Sequence, residues 1–147
     1  LTFPTIQRIE AIFPGQVAVL HSYLRTQERF QNYLDLLNGK KRICIGTRSA
    51  IFAPVKDLKL IVIDEEHDSS YKEHSSPRYH ARQIAVKRIL ENKGKLVLGS
   101  ATPSVEIFHL AKMGKIGFQK LTKRANIHAK LPDVIVKENE SQLISGD

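Results

Sequence analysis

The stretch Leu58-Lys59-Leu60-Ile61-Val62-Ile63-Asp64-Glu65-Glu66-His67 decides the fold of this chain. Leu60 to Ile63 form an apolar run without polar alternation, which is typical of a strand covered on both faces in a parallel α/β sheet. The run ends in three carboxylates and a histidine. Because ligands bind beyond the carboxyl ends of such strands, we expect these four side chains to lie at a ligand site.

Three consecutive carboxylates repel one another, so their ionisation is easier to explain if they engage a divalent cation or transfer a proton. In a nucleotide hydrolase, the first acid of such a strand holds Mg²⁺ and the next orients or deprotonates water. The alternative is a polar strand end that enters a solvated loop. The acidic strand end alone leaves both interpretations open.

Two other apolar runs end in the same manner. Ile43-Cys44-Ile45 leads into Gly46-Thr47-Arg48-Ser49-Ala50, and Leu96-Val97-Leu98 leads into Gly99-Ser100-Ala101-Thr102-Pro103-Ser104. Three predicted strands therefore deliver small, polar or charged residues to the loops that follow them.

These three loops resemble motifs Ib, II and III of superfamily 2 helicases of the DEAH type. More narrowly, the chain is similar to the bacterial primosomal replication-restart DNA helicases, the family of primosomal protein N′. That family's runs Gly-Thr-Arg-Ser-Ala, Asp-Glu-Glu-His-Asp-Ser-Ser-Tyr-Lys and Arg-Tyr-His-Ala-Arg occur here in its order. The similarity extends from about Leu1 to about Pro132.

The resemblance implies an α/β fold with a RecA-like parallel sheet flanked by helices, as in the lobes of P-loop NTPase helicases. We expect residues 1–122 to form a truncated first lobe, and residues 123–147 to form a basic connector and the start of the next element. A phosphate-binding loop needs the pattern G-x-x-x-x-G-K-[ST]. The three Gly-Lys pairs of the chain lack it, so we expect negligible ATP hydrolysis by this chain alone.

The resemblance also implies roles for the motif residues. Asp64 would bind the Mg²⁺ of ATP and Glu65 would be the catalytic base. Coupling of the nucleotide state to domain movement would involve the residues Glu66, His67, Ser100, Ala101 and Thr102. Ser100 and Thr102 can hydrogen-bond Asp64 or His67 across adjacent strand ends, although Thr102 followed by Pro103 also suits the start of a helix.

Two loops are candidates for nucleic-acid binding. The loop after Ile45 offers phosphate donors without base-reading geometry, and the resemblance assigns DNA contact to its residues Thr47, Arg48 and Ser49. The alternative is that Arg48 pairs with a neighbouring acid. Residues 68–80 interleave rings with cations, which suits stacking on unpaired bases, and the candidates there are Tyr71, Lys72, Arg78 and Tyr79. The alternative is a surface loop anchored by its two tyrosines.

Composition favours a polyanionic partner. The 147 residues carry 23 Lys and Arg against 15 Asp and Glu, a net charge of +8, and 41% are hydrophobic, enough for one domain with a core. A single cysteine, Cys44, excludes internal disulfides and a cysteine metal site. We expect a cytoplasmic protein without membrane contact, because no signal peptide or bilayer-spanning stretch is present.

Helical spacing predicts helices that end near Phe13, Leu37, Asn92 and Met113, and Ser22 is a candidate cap of the second. We expect Arg82, Lys87 and Arg88 on the third helix to be solvated. Residues 116–121 read as one more strand.

The resemblance implies a parent enzyme that uses ATP and Mg²⁺ to unwind forked or single-stranded DNA at stalled forks and to promote primosome assembly. Its partners would be primosome and single-strand-binding proteins, and zinc is expected only in a module outside this chain. The alternatives are a nucleic-acid-binding module without catalysis and another superfamily 2 helicase or translocase. We also expect self-association through an unpaired sheet edge.

Overall fold

A computed structural model describes residues 3–122 of the chain. The basic connector and the start of the next element, which were predicted for residues 123–147, lie outside the described residues. The elements follow in the order α1 (Phe3–Ile12), β1 (Val17–Leu20), α2 (Thr26–Leu37), β2 (Ile43–Gly46), a 3-10 helix (Arg48–Phe52), β3 (Leu60–Ile63), a 3-10 helix (Ser69–Tyr71), β4 (Lys72–Glu73), β5 (Tyr79–His80), α3 (Ala81–Asn92), β6 (Lys95–Leu98) and α4 (Val105–Lys112). The α/β class with parallel strands is confirmed.

The four longer strands form two parallel pairs. β1 pairs with β2 in the register Val17 to Ile43, and β3 pairs with β6 in the register Leu60 to Lys95. Within the described part of the chain, no strand pairing joins the two pairs into the single sheet that we expected. A crevice of about 1440 Å³ lined by residues of β2 and β3 lies between them.

A small core holds the first pair together. Ala18, Leu20, Leu36 and Ala53 are buried against one another, so α2 covers one face of β1 and the segment after β2 closes the cluster. Burial of such aliphatic side chains is the main stabilising contribution at this site.

The prediction that β3 is covered on both faces was wrong for the described residues. Ile63 is buried, whereas Leu60 and Val62 are 55% and 61% exposed, and Val97 on β6 is also exposed. α3 packs against β3 and β6, and exposure alternates along both strands. One face of this pair is therefore open among the described elements, because side chains alternate between the two faces of a strand.

Three local predictions also need correction. Residues 116–121 are irregular and form no strand. α2 starts after Arg25, whose N–H donates to Glu28 Oε2 at 3.3 Å, so Ser22 is not its cap. α4 starts after Ser104 and not after Thr102, because the Ser104 N–H is bound by a carboxylate that is described below.

Candidate active site and nucleic-acid interface

The acidic residues follow β3 directly and lie beside the end of β6. The ladder continues past the strands, since Gly99 N–H donates to Ile63 O at 2.8 Å and Glu66 N–H donates to Gly99 O at 3.0 Å. A Cβ on Gly99 would stand 3.2 Å from Asp64 Oδ1, so the absence of a side chain there lets Asp64 approach the β6 end. The two strand ends therefore form one rim.

A backbone turn at Glu65 separates the three acids. Its φ of 47° lies in the left-handed region, which is uncommon for a residue with a side chain. The Glu65 N–H donates to Asp64 Oδ1 at 3.0 Å, which supports the turn. Asp64 and Glu65 are exposed and Glu66 is buried, so only the first two carboxylates face solvent.

His67 joins the acidic loop to the loop after β6. Its Nδ1 lies 2.7 Å from Ser100 Oγ and 3.6 Å from Glu65 Oε2, and its Nε2 lies 3.4 Å from Thr102 Oγ1. The predicted contact of Ser100 and Thr102 with His67 is thus present. Ala101 lies between them and is exposed. The arrangement can transmit a displacement of one loop to the other, and the role itself stays a prediction.

Glu66 is the buried charge of the site, with 2% of its surface exposed. It accepts from Arg82 Nη1 at 2.7 Å, from Ser104 N–H at 2.6 Å and from Ser104 Oγ at 3.1 Å. Burial alone would raise its pKa, but these donors outweigh burial and hold the pKa of Glu66 below its usual range. Glu66 therefore ties α3 and the start of α4 to the acidic loop.

The expectation that the α3 cations are solvated was wrong for two of the three. Arg82 binds Glu66, and its Nη1 also donates to Ser104 Oγ at 2.9 Å. Arg88 donates to the carbonyls of Ile51 and Ala53 and fixes the segment after β2 on α3. Lys87 is exposed, as expected. These partners lie more than fifteen residues away in sequence, so helical spacing alone could not identify them.

Arg48 binds within the molecule. Its Nη1 donates to Ser70 O at 3.0 Å and to Lys72 O at 2.8 Å, and its Nη2 pairs with the Glu73 carboxylate. The guanidinium carbon also lies 5.8 Å from the centre of the Tyr79 ring. Of the two interpretations of Arg48, the structure favours the pairing with an acid. Its neighbours Thr47 and Ser49 are both exposed.

The two tyrosines of residues 68–80 are anchored on the protein. The Tyr71 hydroxyl donates to Asp64 O at 2.6 Å, and the Tyr79 ring meets Phe52 edge to face at 5.0 Å. Burial, and then the carboxylates of Asp64, Asp68 and Glu65, raise the pKa of Tyr71. The tyrosines therefore hold the segment against the site, and direct stacking on bases remains untested.

Lys72 on β4 and Arg78, which directly precedes β5, are both exposed. With His74, Tyr79 and His80 they line a shallow groove of about 570 Å³. His80 also caps α3, since its Nδ1 accepts from Arg82 N–H at 3.2 Å. Because Glu73 also lines this groove, two cationic side chains and one carboxylate border it.

Comparison with known proteins identifies the lobe. The family model of DEAD/DEAH box helicases matches residues 1–110. The chain belongs to the DEAD/DEAH box helicase family. The three loops that follow β2, β3 and β6 lie within the matched residues, and their assignment to helicase motifs stays a prediction.

Relatives narrow the family. The chain is 40% identical over 147 residues to the replication restart protein PriA of Bacillus subtilis, which covers 100% of this chain and 18% of that protein. It is 44% identical over 124 residues to PriA of Treponema pallidum, which covers 84% of this chain and 19% of the relative. It is 47% identical over 110 residues to PriA of Synechocystis, and this alignment covers 74% of this chain and 13% of the relative. The resemblance to replication-restart helicases is confirmed, and the chain spans less than a fifth of the length of these relatives.

None of the helices that the structure describes combines the length and the apolar composition that a bilayer span requires.

Proposed function

We propose that this chain is part of the first motor lobe of an ATP-dependent DNA helicase that acts in replication restart. The observation that carries the proposal is the common rim of β3 and β6, where His67 bridges the acidic loop and Ser100. The names of the relatives supply the replication-restart context. The chain alone is proposed to be inactive, because it contains no G-x-x-x-x-G-K-[ST] pattern.

Within the helicase, Asp64 is proposed to contact Mg²⁺ and Glu65 to take the proton from the attacking water. Residues 3–122 contain no cluster of three or more metal-binding side chains. Asp64 and Glu65 are exposed carboxylates, and proteins commonly hold Mg²⁺ through one or two carboxylates together with the phosphates of a nucleotide. Bound Mg²⁺ would neutralise charge on the phosphates. Asp64 keeps one carboxylate oxygen that is not used by the Glu65 N–H.

Coupling is proposed to run through His67, Ser100, Ala101 and Thr102, with Glu66 as the anchor of the loop. His67 Nδ1 lies 3.6 Å from Glu65 Oε2 and 2.7 Å from Ser100 Oγ. A displacement of the Glu65 side chain would therefore move His67 and, through it, the loop after β6. Tyr71 adds a second route, because its hydroxyl holds the carbonyl of Asp64. Movement of residues 68–80 would therefore displace the acidic loop.

Nucleic acid is proposed to bind on the face that carries Thr47, Ser49, Lys72 and Arg78, with forked or single-stranded DNA as the substrate. These side chains are exposed and the chain carries a net charge of +8. Arg48 lies between Thr47 and Ser49 and is proposed to contact DNA with them. Tyr71 and Tyr79 lie in the segment that carries Lys72 and Arg78, and their present contacts support a positioning role.

The wider assembly is proposed from the family alone. Primosome and single-strand-binding proteins are the proposed partners, the cytoplasm is the proposed compartment, and zinc is assigned to a module outside this chain. Self-association through the open edges and face of the strand pairs is a further proposal.

The test uses the longer helicase and this chain in parallel. In the helicase, Glu65→Gln is expected to lower ATP turnover by about 10²-fold or more while DNA binding is retained, since a general base contributes roughly that much. Glu10→Gln, on the exposed side of α1, is the matched control. Full turnover by the Glu65→Gln enzyme would overturn the assignment.

For the 147-residue chain, single-stranded DNA affinity is expected to fall steeply as salt rises, because phosphate contacts release counterions. Affinity that does not change between low and moderate salt would contradict the proposed basic face.

A further inference from the structure

Glu73 is an isolated acid in a basic segment. Between Asp68 and Glu91 it is the only carboxylate, whereas five residues there are Lys or Arg. Its side chain reaches Arg48, which lies 25 residues earlier in the loop after β2. Glu73 is therefore the acid of this basic segment that neutralises Arg48.

We propose that the Glu73 carboxylate occupies a phosphate site, so that Glu73 and a nucleic-acid phosphate compete for the same Arg48 guanidinium. The inference rests on the proposed DNA-binding function. It adds that Glu73 occupies the Arg48 Nη2 group when no DNA is bound. The ligand class is the phosphodiester backbone of single-stranded DNA.

The guanidinium is fixed in place independently of Glu73. Arg48 Nη1 donates to the carbonyls of Ser70 and Lys72 at 3.0 and 2.8 Å, and the Tyr79 ring lies beside the guanidinium. Only Nη2 is directed at the carboxylate. Because a carboxylate oxygen and a phosphate oxygen both accept from a guanidinium N–H, a phosphate can replace Glu73 at Nη2 while Nη1 keeps its two carbonyl partners.

The Glu73 carboxylate is oriented by a hydrogen bond, and its ionised form is favoured. Ser75 N–H donates to its Oε1 at 2.9 Å, and this bond, followed by the charge of Arg48, lowers the pKa of Glu73 in spite of the cost of desolvation. The Arg48 and Glu73 side chains remain 30% and 24% exposed. A polyanion can therefore reach the pair from solvent.

The surroundings favour phosphate once it arrives. Lys72 and Arg78 line the groove next to the pair, and the exposed residues Thr47 and Ser49 flank Arg48 in sequence. Cations and hydroxyls of this kind make most protein contacts to the phosphate backbone. A strand of DNA along the groove would bring several phosphates near Arg48.

The test measures binding of fluorescent oligo-dT to the 147-residue chain by anisotropy across a salt series. Glu73→Gln removes the competing charge, and Glu91→Gln, at an exposed position near the end of α3, makes the same change in net charge elsewhere. Arg48→Gln is made alone and together with Glu73→Gln, and circular dichroism and thermal unfolding check the fold of each variant.

Glu73→Gln is expected to tighten binding by about tenfold relative to Glu91→Gln, which corresponds to one charged hydrogen bond gained. The slope of log affinity against log salt should steepen by about 0.7, the contribution of one added phosphate contact on single-stranded DNA. Arg48→Gln should cost several-fold more in the Glu73→Gln background than in the unchanged chain.

Equal affinities for Glu73→Gln and Glu91→Gln in folded chains that bind DNA would overturn this inference and leave the proposed function standing. A large loss from Arg48→Gln that is the same in both backgrounds would also overturn it, because Arg48 would then bind DNA without competition. Absence of DNA binding by every variant would overturn the proposed function and this inference together. If Glu73→Gln loosens the fold, Ser75→Pro provides the second variant, since it removes the N–H that orients Glu73 but keeps the charge. It is expected to give a smaller gain in the same direction, and no gain there would refute the competition.

Discussion

Glu65 and Glu66 are neighbours in the chain with opposite environments. Glu65 is exposed at a left-handed turn, whereas Glu66 is buried against Arg82 and Ser104. A buried ion pair is costly to break, because removal of one partner leaves the other uncompensated. Asp64 and Glu65 therefore remain accessible to solvent, while Glu66 fixes the loop that carries them.

Glu66→Gln is expected to lower the free energy of unfolding by about 2 kcal/mol, since Arg82 loses its charged partner. The folded-state pKa of Glu66 is lowered, so its contribution is present above the unfolded pKa and is lost as pH falls through the folded pKa. Urea unfolding at neutral and acidic pH checks both parts. The exposed Glu10→Gln is the control, and a difference between Glu66→Gln and the unchanged chain that persists at low pH would contradict the prediction.

Tyr71→Phe removes only the hydroxyl that donates to Asp64 O. A loss of about 1 kcal/mol in stability is expected, the usual net value of one hydrogen bond. Because the folded-state pKa of Tyr71 is raised, its part of that stability is fully present below the unfolded pKa and is lost as pH rises through the folded pKa. Ultraviolet titration of tyrosinate should lose a component that titrates above the usual tyrosine range in Tyr71→Phe and retain it in Tyr23→Phe, an exposed position.

At the scale of elements, short contacts between backbones hold the motif loops at the strand ends. A Cβ on Gly46 would lie 2.3 Å from Leu20 O and 2.5 Å from Ala50 Cβ. The end of β2, the end of β1 and the 3-10 helix that carries Arg48 thus meet at one glycine. Arg88 then fixes the same segment from α3 through the carbonyls of Ile51 and Ala53.

Gly46→Ala is expected to destabilise the chain by about 1–3 kcal/mol, because the added methyl group cannot be accommodated without moving backbone. Gly117→Ala is the control, since a Cβ there meets nothing within 4 Å. Thermal unfolding compares the two variants. Equal midpoints for Gly46→Ala and Gly117→Ala would show that the strand ends are less closely packed than the distances indicate.

At the scale of the whole molecule, the open face of the β3 and β6 pair is the main source of exposed apolar surface on strands. Leu60, Val62 and Val97 lie on that face with about half or more of their surface exposed. Contiguous apolar surface beside unpaired strand edges promotes association. The longer helicase is expected to cover this face.

Val62→Lys is therefore expected to reduce self-association of the 147-residue chain, because a charge on this face opposes its burial between copies. Leu90→Lys, at a position on α3 that is 72% exposed, is the matched control. Sedimentation velocity at increasing concentration measures the effect. A chain that stays monomeric without any substitution would contradict the prediction.

The sequence by itself determined the α/β class, the order of the longer helices and strands and the loops in which the motif residues lie. These features depend on local periodicity and on residue types within a few positions, such as the apolar run before Asp64. It also predicted that Ser100 and Thr102 contact Asp64 or His67, since parallel strands bring their carboxyl ends to one edge, and the structure forms the contacts with His67.

Only the tertiary structure decided which charged groups are paired and which are free. Arg82 finds Glu66 16 residues away, Arg48 finds Glu73 25 residues away, and Arg88 reaches carbonyls 35 and 37 residues away. Such partners depend on how separate elements pack, which helical and strand spacing do not specify. The same holds for the open face of β3, because burial of a strand is set by the neighbours that cover it and not by its own residues.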